Sequence, residues 1–258
     1  LWNVEAKAKV MPVQLTPVVK VLLISCLVTF IIQQTADRFL GGNLTGILGL
    51  VPYAFVVQHH FWQLFTYLFL HGDVMHLLLN MLMLAFVGGE IESIWGRWRF
   101  IRYYLICGAS AGCLYLILQV FLWQGEGLQV PMVGASGAIY GLLMAYGLLF
   151  GERMLLFMML FPMKAKHFVW VLMGVEFMSS LFSGRNGLSS AAHLGGMIAG
   201  LIYLWTVATM RQMKKDGRSP LGKWGKGGKS GKKHLKLVVN RPGTKPGSDD
   251  PEGPKTWH

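Results

Sequence analysis

Ser136 lies among small residues, in the segment Gly134-Ala135-Ser136-Gly137, at the beginning of a long apolar stretch. A serine in such a place has two interpretations. Small residues let membrane helices approach one another closely, so the pattern by itself is typical of helix packing. A serine hydroxyl can also act as a nucleophile when an imidazole takes its proton near neutral pH. The positions of the other polar residues distinguish helix packing from catalysis.

Three further polar side chains lie inside apolar segments, as Ser136 does: His76, Asn80 and His193. Asn80 follows His76 by one helical turn, so the two share a helix face. For acyl transfer, His193 would be the base for Ser136, and His76 and Asn80 would donate hydrogen bonds to the oxyanion. Tyr140, one turn after Ser136, is placed to stack against the ring of His193.

The composition is that of a membrane protein. Hydrophobic residues make up 53% of the chain, charged residues 14%, and the mean hydropathy is +0.45. A helix needs about 20 apolar residues to cross a bilayer. The apolar runs therefore predict an all-α, polytopic membrane protein with six transmembrane helices, at residues 17–36, 73–94, 103–123, 134–151, 168–182 and 190–210. The apolar piece at 154–161 is too short to cross. The first run is long and no clear cleavage site follows it, so no cleavable signal peptide is expected.

Six spans of alternating direction bring the polar residues to one depth. Ser136, His193 and His76 each stand near the outer end of a span, and Asn80 is one turn deeper. At about 1.5 Å per residue, all four fall within the outer third of the membrane. Polar and ionisable side chains inside spans are costly and usually mark a function. This convergence favours the catalytic interpretation of Ser136.

Close helix packing is still required, because the serine and histidine belong to different spans. The fourth span carries Gly134, Gly137 and Gly141, and the sixth carries Gly196 and Gly200. These small residues predict that the two backbones approach closely enough for a hydrogen bond between Ser136 and His193.

The formal net charge of +12 is concentrated in the tail. From residue 211 to 258 the chain has 13 Lys/Arg and 4 Asp/Glu, so the remainder carries only +3. Three parts are predicted: a cytoplasmic segment at 1–16, the six-span domain at 17–211, and a disordered, basic Gly/Lys/Pro-rich tail at 212–258. The tail is expected to contact the anionic inner leaflet, at about 1 kcal/mol per basic residue. Contact with RNA is the less favoured alternative, because the charge is not on the folded domain, and a tail that only reinforces the orientation is another.

Loop charges predict the orientation. Basic residues lie in the loop after the second span and in the one after the fourth, whereas the opposite loops hold only Arg185 and the span-end Arg38. Both termini are therefore expected in the cytoplasm, with the active site opening to the outer, periplasmic face. Cys26, Cys107 and Cys113 all lie in apolar runs, which suits free buried thiols. No metal-ligand spacing is present, and no metal or cofactor is expected.

The chain resembles the rhomboid intramembrane serine proteases of the bacterial six-span type, over about residues 17–211. The resemblance rests on three motifs in order: HLLLN at 76–80, GASG at 134–137, and AHLGG at 192–196, continuing to Gly200. It implies a Ser136–His193 dyad without a required acid, with His76 and Asn80 at the oxyanion site and Tyr140 packed on the catalytic ring. The implied location is a bacterial inner membrane.

The resemblance also assigns two segments. The long, aromatic-rich connection at 37–72 resembles the family's membrane-embedded first outer loop, although Trp62-Gln63 stands where many members have Trp-Arg. Residues 168–185 correspond to the fifth span and adjoining loop, which the family is thought to use for lateral access of substrate. The implied substrates are transmembrane proteins whose helices contain weakening residues such as Gly or Pro.

Several other polar residues are assigned structural roles. Glu176, six residues before Phe182, has the depth that a triad acid would need, but a structural role with a partner in another helix is expected. Glu90 is expected to be structural, His71 a loop contact, and His59 and His60 interfacial residues.

Two alternatives to a protease remain. One is a catalytically silent rhomboid-like protein that binds or escorts membrane proteins. The other is a channel or transporter that uses His76, Glu176 and His193 as a proton path. A transporter predicts inverted repeats or broken helices, and no convincing repeat is present in the sequence.

Overall fold

The computed structural model describes residues 14–122, 125–157, 161–184 and 187–215. The predicted N-terminal segment lies outside the described residues up to position 13, and the predicted tail does so from position 216. The helices are α1 (Pro17–Phe39), α2 (Leu44–Leu48), α3 (Pro52–Val56), α4 (Gln63–Thr66), α5 (Val74–Met83), α6 (Gly89–Trp95), α7 (Arg97–Leu122), α8 (Ser136–Leu149), α9 (Ala165–Phe182) and α10 (Gly187–Lys215).

Four helices in the described part of the chain are long and apolar enough to cross a membrane. They are Pro17–Phe39, Val74–Trp95, Arg97–Phe121 and Gly187–Lys215. The second joins α5 to α6 through a π-helical segment, Leu84–Gly88. The predicted helical, polytopic membrane fold is confirmed. The count of six spans stays a prediction, because α8, at 14 residues, is shorter than these four and α9 is not among them.

The centre of the bundle is α8, which packs against α7, α9 and α10. Ten of its residues are buried, including Gly137, Gly141 and Gly147. The helices around it expose large apolar side chains outward, among them Ile24 of α1, Phe177 of α9 and Trp205 of α10. A helix that is apolar and buried on all sides forms the core of a membrane bundle, whereas its neighbours turn apolar faces to lipid.

Two acidic residues of α6 hold the end of the bundle that lies away from Ser136. Glu92 accepts hydrogen bonds from the backbone N–H groups of Val18 and Val19, at 3.1 and 3.0 Å, and so caps the otherwise unpaired start of α1. Glu90 forms an ion pair with Arg153. These contacts are those of structural residues, as the sequence predicted for Glu90.

A β-hairpin departs from the predicted all-α architecture. Strands β1 (Met154–Phe157) and β2 (Phe161–Lys164) pair antiparallel, with Met154 opposite Lys164. The apolar piece at 154–161 is too short to span the membrane, as predicted from its length, but no strand was predicted there. A short segment satisfies its backbone N–H and C=O groups by pairing with a neighbouring segment, which accounts for the hairpin.

The connection between α1 and α5 is a folded element that packs on the bundle. Gln63 is fully buried and accepts a hydrogen bond from the N–H of Val51 at 3.1 Å, while its amide donates to the carbonyls of Gly46 and Ile47. Trp62 also donates to the Ile47 carbonyl, at 2.9 Å. The glutamine that stands where the family pattern has arginine thus joins the second half of this connection to its first half.

Candidate active site

The turn that leads into α8 requires a glycine. Gly134 has a φ of +123°, a conformation that L side chains rarely adopt, and its N–H donates to the carbonyl of Tyr67 at 3.0 Å. A Cβ atom at this position would lie 2.8 Å from the ring atoms Cε1 and Nε2 of His76. Gly134 therefore lets the His76 ring lie against the backbone just before Ser136.

The glycines of the predicted packing edges let α8 and α10 approach each other and the side chains of α7. A Cβ atom on Gly196 would overlap the carbonyl oxygen of Gly137, and one on Gly141 would overlap the Cys107 side chain of α7. Gly200 similarly leaves room for the hydroxyl of Tyr103. The backbones of α8 and α10 therefore touch where Gly137 and Gly141 meet Gly196 and Gly200, next to His193.

Ser136 and His193 are in direct contact. The hydroxyl oxygen Oγ of Ser136, the first residue of α8, lies 2.8 Å from Nε2 of His193 in α10. This distance is that of a hydrogen bond between a hydroxyl and an imidazole nitrogen. A serine in this contact can transfer its proton to the histidine as it attacks a carbonyl carbon.

Tyr140 packs against one face of the His193 ring. Its ring stacks on the His193 ring, with centroids 4.3 Å apart and planes inclined by only 8°. Its hydroxyl donates a hydrogen bond to Oε1 of Glu176. The structure thus brings Ser136, Tyr140 and His193 together as the sequence analysis expected, and adds a carboxylate.

Glu176 contacts the candidate base itself. Its Oε1 lies 3.2 Å from Nδ1 of His193, and the residue is only 8% exposed. Glu176 was predicted to have a structural role, with a partner in another helix. The partners are in other helices, but one of them is the histidine of the candidate dyad. The available signal was a carboxylate inside an apolar span, at about the depth of Ser136.

His76 and Asn80 occupy different environments. The His76 ring lies between Gly134 and the His71 ring, whose centroid is 5.2 Å away, and its Nδ1 faces the N–H of Gly72 at 3.4 Å. Asn80, by contrast, donates its amide to the backbone carbonyl of His76 at 2.8 Å. The structure therefore brings His76 to the edge of the site, while the Asn80 amide is bonded within its own helix.

The comparisons with known proteins point to one family. Residues 58–210 match the family model of the Rhomboid domain. The chain is 30% identical over 162 residues to Rhomboid protein 1, mitochondrial, of Saccharomyces cerevisiae, a match that covers 60% of this chain and 45% of the yeast protein. It is 38% identical over 97 residues to RHOMBOID-like protein 1 of Arabidopsis thaliana, which covers 37% of this chain and 23% of the plant protein.

This chain belongs to the rhomboid family. The rhomboid domain model covers all three predicted motifs, and family membership supports a protease-like function in the membrane. The chain spans less than half the length of these two relatives. They are a mitochondrial and a plant protein, so the expected bacterial membrane and the orientation of this rhomboid remain predictions.

His71 of this rhomboid is a buried member of the loop before α5. Its backbone N–H donates to Oε1 of Gln33 in α1 at 3.2 Å, which is a loop contact of the kind expected. The ring is fully buried, and neither ring nitrogen has a hydrogen-bond partner among the described residues. Burial, together with the neighbouring His76, lowers the pKa of His71 to about 4. At neutral pH the His71 ring is therefore uncharged.

The remaining predictions concern histidines and cysteines. His59 is exposed on the first connection, whereas His60 is half-buried and stacks on Trp62 with centroids 4.4 Å apart. Cys26 and Cys107 are buried free thiols, as expected, but Cys113 is exposed, so that part of the prediction is wrong. An apolar run does not reveal which side of its helix faces outward, and Cys113 is on the outward side of α7.

Proposed function

We propose that this rhomboid is an intramembrane serine endopeptidase that cleaves transmembrane proteins. The single observation that carries the proposal is the 2.8 Å contact between Ser136 Oγ and His193 Nε2. In the first step, Ser136 attacks the scissile carbonyl carbon while His193 accepts its proton. His193 then passes that proton to the leaving amine, which produces an acyl-enzyme on Ser136. In the second step, water attacks the ester with His193 as base, and Ser136 is released.

The oxyanion of each tetrahedral intermediate needs hydrogen-bond donors. The first N–H groups of α8 have no partner within the helix, and Ser136 is its first residue, so they point toward the reacting carbonyl. The His76 ring, at the backbone of Gly134, is the second donor. Asn80 becomes a donor after its amide rotates away from the His76 carbonyl, a change confined to one side chain.

The substrate class follows from where the dyad lies. The carbonyl groups of an intact helix are hydrogen-bonded, so a spanning segment has to unwind locally before Ser136 can attack. Segments with Gly or Pro and a small residue at the cut are therefore the preferred substrates. Access is lateral, past α9, whose end nearest the dyad exposes Phe177, Leu181 and Phe182.

Orientation is the second part of the proposal. Arg97 and Arg99 of α7, Arg153 of the turn before β1, and Lys164 of β2 all lie at the end of the bundle away from Ser136. The positive-inside rule places that end, with both termini, on the cytoplasmic side, and the dyad toward the outer face of a bacterial inner membrane. The basic tail then lies near anionic lipid of the inner leaflet.

A labelling and cleavage experiment tests the proposal. The full chain is reconstituted in liposomes, treated with a fluorophosphonate probe, and assayed on a model transmembrane substrate with a Gly-rich outer segment. Ser136→Ala should abolish labelling and cleavage. Ser180→Ala is the matched control, because Ser180 is a half-buried serine of α9 whose hydroxyl, among the described residues, donates to the Phe177 carbonyl, and it should behave as the wild type.

Two outcomes contradict the proposal. Cleavage by Ser136→Ala would show that the nucleophile is a different residue. A wild-type chain that binds the model substrate but neither labels nor cleaves would favour the catalytically silent binder.

A further inference from the structure

We propose that Glu176 is a positioning residue for His193, so that the candidate dyad works as a triad whose acid is supplied by α9. This inference rests on the proposed protease function. It goes beyond the two-residue site that the sequence motifs imply, because Glu176 lies in none of the three motifs.

The contact with Glu176 decides which ring nitrogen of His193 carries the proton. Neutral imidazole carries one proton, and the nitrogen without the proton is the one that can act as a base. An ionised carboxylate only accepts hydrogen bonds, so the contact between Glu176 Oε1 and Nδ1 at 3.2 Å requires the proton to be on Nδ1. The lone pair is then on Nε2, which faces Ser136 Oγ at 2.8 Å. Glu176 therefore selects the tautomer that can take the serine proton.

Glu176 also faces the positive charge that develops on His193 during the reaction. When His193 accepts the serine proton it becomes a cation in a largely buried site, where its side chain is only 18% exposed. A carboxylate in contact with the opposite nitrogen stabilises that imidazolium. Besides Glu176, the titratable groups that face His193 are His76 from α5 and Tyr140 from α8. Glu176 is therefore the acidic group of the set.

Glu176 is itself held in place by Tyr140. Tyr140 donates its hydroxyl to the same oxygen, Oε1, while its ring stacks on His193. One tyrosine of α8 thus fixes both partners of the acid–base pair. The hydrogen bonds that Glu176 makes to His193 and to Tyr140 therefore end on the candidate base and on the residue stacked against it, which is the arrangement expected of a positioning residue.

The helix that carries the acid, α9, is attached to the bundle differently at its two ends. Its other buried residues, Ala165 and Val169, lie in its first five positions, toward the opposite end of the bundle. Near the dyad, α9 is attached through polar contacts, by Glu176 and by a hydrogen bond of 3.0 Å between Ser190 and Ser179. A movement of this end of α9 away from α10 would therefore withdraw the acid from His193. The orientation of the base depends on α9 being docked.

Substitution of Glu176 tests the role in catalysis. Glu176→Gln keeps the shape and removes the charge, so kcat should fall by roughly 10- to 10⁴-fold with KM unchanged, the upper figure being the loss when a triad acid is replaced by its amide. Without the carboxylate the imidazolium is less stable, so the acidic limb of the pH profile of kcat/KM should move about one unit lower. Glu176→Asp keeps the charge and should recover part of kcat. Wild-type kcat and an unmoved acidic limb in Glu176→Gln would overturn the proposal, even if the variant unfolds at a lower temperature.

A spectroscopic measurement covers the case in which these variants do not fold. Ring 15N–1H correlation spectra of the wild-type chain, with 15N-labelled histidine, report the tautomer of each of its 8 histidines. The His193 signal is assigned by its loss in His193→Gln. A proton on Nδ1 at neutral pH supports the proposal, and a proton on Nε2 overturns it.

The two measurements also separate this inference from the proposed function. The tautomer is measured without catalysis, whereas loss of fluorophosphonate labelling in Ser136→Ala tests the nucleophile without reference to Glu176. A labelled wild type whose His193 is protonated on Nε2 would be a serine protease with a two-residue site.

Discussion

Gly196 of α10 lies directly on the backbone of Gly137 in α8, with no room for a side chain between the carbonyl of Gly137 and the α-carbon of Gly196. His193 is one turn before Gly196, and Ser136 is the residue before Gly137. The contact between the two glycines therefore sets the separation of the helices at the position where Nε2 must reach Oγ. Small residues at this helix crossing and polar residues beside it act as one unit.

Gly196→Ala should reduce both stability and labelling. The added methyl group has to push α10 away from the carbonyl of Gly137, which costs about 1–3 kcal/mol and lengthens the contact between Ser136 and His193. We expect a lower unfolding midpoint in detergent and slower fluorophosphonate labelling. Gly174→Ala is the matched control, because no atom lies within 4 Å of a Cβ at that position of α9. Equal labelling by Gly196→Ala and the wild type would contradict the packing argument.

The stability of the fold should depend on pH through His71. Its pKa is lowered to about 4 in the folded protein, from about 6.5 in the unfolded chain. Between those values the unfolded chain binds the extra proton, so stability is complete above pH 6.5 and is lost as the pH falls toward 4. The loss is about 3 kcal/mol at most. Unfolding measured in detergent from pH 7.5 to 4 checks this.

The control for that experiment replaces the histidine in question. His71→Gln should flatten the pH dependence, whereas His59→Asn, at an exposed position with a positive φ that asparagine tolerates, should leave it unchanged. A wild-type pH dependence in His71→Gln would show that another group is responsible.

Gln63→Ala should destabilise the connection between α1 and α5. The substitution leaves the Val51 N–H and the carbonyls of Gly46 and Ile47 without the partner they have now, at a cost of about 1–3 kcal/mol. We expect a lower unfolding midpoint and faster proteolysis within residues 40–72. The exposed Gln58, changed to Ala, is the control and should have neither effect. Resistance of Gln63→Ala to the protease would contradict this.

A disulfide between α9 and α10 should separate access of substrate from chemistry. The hydroxyls of Ser179 and Ser190 are 3.0 Å apart, so cysteines at both positions can be oxidised to join the helices. In a background without the three native cysteines, the oxidised protein should label normally with the small probe. It should cleave the transmembrane substrate more slowly until reductant is added, because the crosslink holds α9 closed and lateral access then limits the rate. Each single cysteine variant should be insensitive to oxidant. Equal cleavage before and after reduction would exclude α9 as the route of access.

The sequence alone was sufficient to predict most of the architecture, because composition and run length are read directly from the chain. The predicted first span begins at Pro17, where α1 begins, and the second matches the continuous helix Val74–Trp95. Depth along a helix also follows from counting residues, so Ser136, His193 and His76 were expected at the same level. The glycine pattern indicated which helices meet there.

Rotation of helices about their axes and the pairing of side chains required the tertiary structure. Counting gave the depth of Glu176 but not the direction in which α9 turns it, and only packing against α8 and α10 brings it to His193. In the same way, the Asn80 amide is bonded to its own helix, Cys113 faces outward, and residues 154–157 pair with residues 161–164 as two strands. Hydrophobic runs are insensitive to such angles, because lipid and helix interior are equally apolar. The sequence by itself determined which residues share a level of the membrane, and the packing of α8, α9 and α10 decided which of them touch.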